Sequence, residues 1–210
     1  MTRILITGFG PFPGAPINPS AQLVARLARI RRPAISPHRL ATHMFATSYA
    51  AVDRDLPALL ARHRPQILIM FGLAARTKFV RIETLAHNRR SALHPDQDGA
   101  VAHSRMIEPR APSFRKGRAP LARLLAAAIA TGIDARLSRD AGRYICNYVY
   151  WRALEAAALP RGLEVVVFVH VPKLRSHSPR RTGRWRPTLS QLVNAAAAVT
   201  IAANTGIAGR

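Results

Sequence analysis

The sequence predicts an α/β fold: a single three-layer domain over residues 1–210, with a mixed, mostly parallel central sheet flanked by helices. Three observations carry this expectation. Short β-branched runs alternate with longer helical patterns along the chain, the order that covers a sheet with helices. Two runs, Gln66 to Phe71 and Glu164 to Val169, are almost continuously apolar, as strands buried on both faces must be. The length of 210 residues, with 49% hydrophobic and 20% charged residues, suits one sizeable core and argues against global disorder.

The elements follow in order. Arg3 to Thr7 is the first strand, leading into the turn-rich Gly8-Phe9-Gly10-Pro11-Phe12-Pro13-Gly14. Asn18-Pro19-Ser20 starts a helix through about Ile30, where Leu23, Val24 and Leu27 form one apolar stripe. His38 to Ala46 suits a second strand, and Ser48 caps a helix through about His63. Gln66 to Phe71 is a central strand ended by Gly72, and Phe79 to Leu85 is another strand. His94 to Pro112, rich in proline, histidine and polar residues, reads as a long, mobile surface loop. Leu121 to Ala130 is helical, Ile133 to Leu137 is a short strand, and a turn at Ser138 to Gly142 opens a helix from about Tyr144 to Ala158. Glu164 to Val169 is a buried strand closed by His170-Val171-Pro172, Lys173 to Pro187 is a basic loop, and Ser190 to Asn204 is the last helix.

The net charge of +22 would attract nucleic acid, anionic lipid or acidic peptides. The basic residues are nearly all arginine, the lysines being Lys78, Lys116 and Lys173, and they are scattered, with short pairs such as Arg31-Arg32 and Arg180-Arg181. Arginine bias with abundant alanine is what GC-rich coding gives, so compositional drift is favoured over an evolved nucleic-acid surface. The apolar stretch Leu192 to Ala203 is mostly alanine and falls short of the roughly 20 apolar residues of a membrane span, so no membrane partner is expected. The first residues turn polar too soon for a secretory signal, and a cytoplasmic location is expected. A single cysteine excludes an internal disulfide and a Cys-rich zinc site, and the eight histidines show no His-x-x-x-His spacing.

Cys146 falls in the first turn of its helix, where exposed N–H groups and the helix dipole favour a thiolate. A lone cysteine on an apolar helix is nevertheless more often core. His170 closes an apolar strand, at the end of the sheet where catalytic groups gather, and an imidazole there can deprotonate a thiol and protonate a leaving amine. Alone it reads equally as a strand-end histidine bonded to backbone. Glu83 is one of only 10 acidic residues and sits in a half-buried segment. It could orient the imidazole, as the third member of a triad does, or pair with one of the many arginines.

The residues together resemble a known family. Thr7-Gly8-Phe9-Gly10-Pro11-Phe12-Pro13-Gly14 followed by Asn18-Pro19-Ser20 is similar to the N-terminal signature Thr-Gly-Phe-x-Pro-Phe-x-Gly and Asn-Pro-Ser of the pyroglutamyl peptidase I (pyrrolidone-carboxylate peptidase) family. Glu83, Ala86 and Asn88, then Pro95-Asp96, resemble its catalytic glutamate segment and following loop. Ala141-Gly142-Arg143-Tyr144-Ile145-Cys146-Asn147 and Phe168-Val169-His170-Val171-Pro172 resemble the nucleophile and histidine segments. The resemblance implies a cytosolic cysteine exopeptidase that removes an N-terminal pyroglutamyl (5-oxoprolyl) residue from blocked peptides through a thioacyl intermediate, with no metal or cofactor. Glu83, Cys146 and His170 would be its triad, and Phe9, Phe12, Asn18, Tyr144 and Ile145 would contact substrate. It also implies a homo-oligomer, a tetramer, which the charge of this chain opposes.

The chain departs from the family at several places. Leu73-Ala74-Ala75-Arg76 replaces Gln-Ala-Gly-Gly-Arg, Leu93 stands in place of an arginine, Pro13 alters the first signature, and Lys173 and Arg175 break the pattern after His170. Specificity is where such changes act, and the competing reading is a divergent homologue whose arginine-rich surface binds nucleic acid or another polyanion.

Overall fold

The strands form because their buried faces demand it. In the computed structural model, which describes residues 2–12, 15–30, 40–160, 162–175 and 186–208, β1 (Ile4–Phe9), β3 (Ile67–Leu73) and β8 (Val165–Val171) are almost wholly buried. They lie side by side at the middle of a six-stranded sheet of order β2-β1-β3-β8-β4-β7. The partners are β2 (Leu40–Phe45), β4 (Val80–Glu83) and β7 (Ala135–Ser138). All neighbours are parallel except β4 and β8, so the sheet is mixed and mostly parallel. A separate ribbon pairs β5 (Leu85–His87) with β6 (Phe114–Lys116).

The period of two sorts the sheet into two faces. Ile67, Ile69, Val165, Val167 and Val169 pack with α1 (Pro19–Leu27), α3 (Leu121–Ile129) and α5 (Leu189–Ala208). Leu68, Met70, Val166 and Phe168 pack on the opposite face, in the core shared with α2 (Tyr49–His63) and α4 (Ile145–Ala157). Gly72 and His170, in phase with Met70 and Phe168, therefore face α4. Among the described residues no helix is long and apolar enough to cross a membrane.

Most expected elements are present within a few residues, with three differences. Gly72 does not end its strand: β3 continues to Leu73 and pairs Gly72 with His170. Phe79 to Leu85 is divided between β4 and β5. The segment from His94 to Pro112 has no regular element but is tied down. Buried Asp96 accepts from the backbone N–H groups of Tyr49, Asp98 and Ala100, and buried Asn88 bonds to Ile107, Glu108 and Ala111. A carboxylate taken out of water needs such donors, and here two come from the loop's own backbone and one from the first residue of α2. Pro13, Gly14, the Arg31-Arg32 and Arg180-Arg181 pairs, the start of the expected second strand and positions 176–185 of the basic loop lie outside the described residues.

Candidate active site

Two antiparallel neighbours bring the acid and the imidazole together. Arg81 on β4 stands opposite His170 on β8, and Glu83 opposite Phe168, so the four side chains leave the same face of the sheet. Glu83 is fully buried and His170 is 5% exposed. His170 Nδ1 lies 2.7 Å from Glu83 Oε1. An ionised carboxylate can only accept, so Nδ1 carries the proton and Nε2 is left for chemistry. The same Glu83 oxygen accepts from Arg81 Nε at 2.9 Å and Nη2 at 2.7 Å, and Nη2 also donates to the Asp140 carbonyl. Arg81 thus ties the carboxylate to the loop that leads into α4.

That loop delivers the thiol. Gly142 adopts φ 83°, a left-handed conformation that a side chain would strain, and the chain then enters α4 through Tyr144 in extended geometry. No side chain caps this helix start, which leaves its first N–H groups without an intrahelical partner. Cys146 is half-buried in the first turn. Its neighbour Asn147 is fully buried and holds β5: its side chain accepts from the His87 N–H and donates to the His87 and Arg89 carbonyls, each at 2.8 Å.

Gly72 makes room for the sulfur. A Cβ at this position would lie 2.9 Å from Cys146 Sγ and 2.7 Å from Phe168 Cζ, closer than packed atoms tolerate. The glycine is required by what lies above the strand rather than by its own backbone. Gly72→Ala should lower stability by about 1–3 kcal/mol through overpacking and displace the thiol. We expect at least a tenfold loss of thiol alkylation rate and of turnover, measured alongside thermal unfolding.

The thiol, the imidazole and the first signature meet at one cavity of about 190 Å³. Its walls include Phe9, Phe12, Leu73, Tyr144, Cys146 and His170, with Asn18, Thr47 and Arg143 as polar members. Asn18 is committed to the fold: it caps α1 by accepting from the Ser20 N–H at 3.1 Å, and its amide donates to the Gly10 carbonyl at 3.0 Å. Tyr144 turns its hydroxyl to the Pro95 carbonyl, 2.9 Å away. Ile145 is not a wall of the cavity. It is fully buried in the core beneath, on the stripe of Val149 one turn further on. Thr47, Gly72 and Arg81 were not singled out from sequence as site residues. The Thr47 hydroxyl is buried with no hydrogen-bond partner among the described residues, and its only sequence signal is its place just before the Ser48 cap.

The charges are set by burial and by these partners. Burial pushes the Glu83 carboxyl up, but the hydrogen bond and charge of His170, with Ser138 and Arg81, outweigh it and hold the group below its ordinary value of 4.5. Glu83 is ionised at neutral pH. Burial, reinforced by the Glu83 charge, pushes the Cys146 thiol up to about 12, against the pull of its own backbone N–H and of Arg81. The resting sulfur is therefore a neutral thiol, and its proton must be removed at the moment of attack. The rate of alkylation by iodoacetamide should accordingly keep rising through pH 9, the ordinary thiol value, with no plateau near neutrality. A plateau below pH 7 would show a preformed thiolate. Among the described residues no three His, Cys, Asp or Glu side chains gather into a metal-binding group.

Comparison with known proteins gives one family throughout. The family model described as pyroglutamyl peptidase matches residues 2–208. A pyrrolidone-carboxylate peptidase of Gloeobacter violaceus is 33% identical over 186 residues, 87% of each chain. One of Pyrococcus furiosus is 30% identical over 170 residues, 81% of this chain and 80% of the relative. The crystal structure of pyrrolidone carboxyl peptidase from Fervidobacterium islandicum superposes with a TM-score of 0.85 at 28% identity, covering 96% of this chain and 97% of that one. Pyroglutamyl peptidase I of Bacillus amyloliquefaciens, 23% identical, shares the fold with a TM-score of 0.83 over 98% of both chains. With the matched family model spanning nearly all of its length, the chain belongs to the pyroglutamyl peptidase family of cysteine peptidases.

Proposed function

We propose that Cys146, His170 and Glu83 remove the N-terminal pyroglutamyl residue of a blocked peptide. The observation that carries this reading is the 2.7 Å contact of His170 Nδ1 with Glu83 at the rim of the cavity that also holds Cys146. In the first half-reaction the sulfur attacks the pyroglutamyl carbonyl carbon while His170 Nε2 takes the thiol proton. Glu83 stabilises the imidazolium through Nδ1–H. The oxyanion is placed to receive the uncapped N–H groups at the start of α4. Collapse breaks the C–N bond, the leaving amine takes the proton from His170, and a thioester remains on Cys146. Water, deprotonated by His170, then cleaves the thioester and releases pyroglutamate with the thiol restored.

The cavity supplies the selectivity. Phe9, Phe12, Leu73 and Tyr144 offer apolar surface to a small ring, and the unpaired Thr47 hydroxyl is a hydrogen-bonding group for the lactam. Among the described residues no carboxylate lines the cavity and Arg143 does, so a free ammonium would lose its water and gain only repulsion. The lactam, being neutral, escapes that cost. Leu73, where the family has glutamine, makes the wall apolar at that point without removing the thiol, imidazole or acid.

A pair of fluorogenic amides tests the reading. The pyroglutamyl coumarylamide should turn over at least about 100-fold faster than the prolyl coumarylamide, whose ring is the same size but carries a protonated amine. No turnover of the first, or equal turnover of both, overturns it. The relatives named above give no support to the alternative of a nucleic-acid surface. The enzyme would act in the cytoplasm, where its one cysteine stays reduced.

A further inference from the structure

Next to the substrate cavity lies a second and larger one, of about 490 Å³. Its walls carry Arg89, Arg90, Arg105 and Arg143, together with Ser91 and Leu93, and among the described residues no acidic side chain. Arg143 lines both cavities. Carboxylates are few in the chain, and the arginines that have one within 4.0 Å, Arg54, Arg81, Arg115, Arg136 and Arg152, all lie outside this cavity. Among the described residues none of the four cavity arginines has such a partner. Arg90 donates Nε to the Ser104 carbonyl at 2.9 Å and sits 6.0 Å from the Tyr49 ring, contacts that fix its position without neutralising it.

The scaffold beneath this cavity is built, not loose. Arg90 N–H bonds to the Arg105 carbonyl at 2.9 Å, which joins the two sides, and the Arg89 carbonyl accepts from the buried Asn147 amide. Cys146 precedes that asparagine, so the backbone carrying Arg89 is tied to the nucleophile's own helix turn. Four like charges lining one concavity focus a positive field and concentrate anions there.

Resting on the peptidase reading above, we propose that this basic cavity is a subsite for a carboxylate on the part of the peptide beyond the scissile bond. With the pyroglutamyl ring in the first cavity and its carbonyl at Cys146, a chain passing Arg143 enters the second. Guanidinium groups accept a carboxylate in paired hydrogen bonds, and Leu93 and Met106 offer surface to the methylenes that carry it. The carboxylate has two sources, an Asp or Glu side chain or the free C-terminus of a short peptide. The preferred substrates are then acidic peptides with a blocked N-terminus.

The test uses two series of pyroglutamyl tripeptides with Glu, Gln or Lys at the second position, one series ending in an amide and one in a free acid. At low ionic strength kcat/KM should be about tenfold higher for Glu than for Lys in the amide series, with Gln between. The ratio should shrink on adding 0.5 M salt, as expected of partly exposed charges. If the C-terminal carboxylate is the occupant, free acids will exceed amides by a similar factor whatever the second residue. In the double variant Arg89→Ala, Arg105→Ala the favoured ratio should fall towards one, a comparison internal to each enzyme. Equal kcat/KM across both series, in wild-type enzyme that turns over the pyroglutamyl coumarylamide, overturns the subsite alone. If wild-type enzyme turns over neither the coumarylamide nor any tripeptide, the peptidase reading falls and the subsite falls with it.

Discussion

Cys146→Ala should reduce turnover of pyroglutamyl coumarylamide by at least about 10⁴-fold, since removing the nucleophile of an acyl-transfer site leaves only binding and oxyanion stabilisation. The same variant should unfold within about 1 kcal/mol of the wild type, because the side chain lost is small and half-buried. Thermal unfolding and circular dichroism check the second half of the expectation and separate a missing nucleophile from a missing fold. His170→Ala should cost a comparable factor, and the double variant little more than either single one, as groups that act as a unit are not additive. Residual turnover in Cys146→Ala above about 1% of wild type would assign the chemistry to another group and end the proposed mechanism.

Glu83→Gln, nearly isosteric, should lower kcat by about 10²–10⁴-fold. One oxygen of Glu83 accepts from His170 Nδ1 and from two Arg81 nitrogens. A neutral amide keeps one acceptor, brings two donors, and no longer stabilises the imidazolium that forms on attack. The variant should also lose about 2–3 kcal/mol of stability, less than the roughly 3–5 kcal/mol that a fully buried pair costs when one partner goes, because Arg81 is 21% exposed and keeps the Asp140 carbonyl. The pH dependence has a defined sign. The Glu83 carboxyl is held below 4.5 in the folded chain, so its contribution is fully present above that value and is lost as pH falls through the depressed one. Denaturant titrations of wild type and Glu83→Gln should therefore differ most above about pH 5 and converge in acid. Curves that run parallel down to pH 2 would show that the carboxylate is not the group involved.

What the sequence made legible were the features with a local signal. Apolar runs marked β3 and β8, capping chemistry marked Ser48 and Asn18, and the turn at Gly142 marked the start of the helix that carries Cys146. The company of Glu83 with His170 was legible from the residues as one of two readings and was singled out by the resemblance, because their contact depends on β4 running against β8 with Glu83 opposite Phe168, and strand direction leaves no trace in a four-residue run. Arg81 was hidden for the same reason: from sequence the arginine pairing of Glu83 and its pairing with His170 were rival readings, whereas one carboxylate oxygen serves both. Gly72 looked like a terminator, since a close approach from a distant helix cannot be read from neighbours in the chain. Ile145 was assigned to the substrate wall beside Tyr144. Its helix face turns it into the core with Val149, a period that a two-residue motif does not display. The strand β6 is three residues, Phe114 to Lys116, without an apolar period, and only its pairing with β5 defines it.

The helix that carries Cys146 has almost no outer side. Val149, Tyr150, Trp151 and Ala153 are wholly shielded from solvent, and Tyr150 reaches back to bond the Glu83 carbonyl at 3.0 Å. A helix so enclosed cannot detach by itself without exposing two large aromatic rings, so its amides belong to the set that exchanges only when the whole molecule opens. Catalytic competence and global integrity are then a single cooperative quantity: heat or denaturant would not produce a folded population with a disordered nucleophile, and the fraction of active enzyme would itself be a measure of the fraction folded.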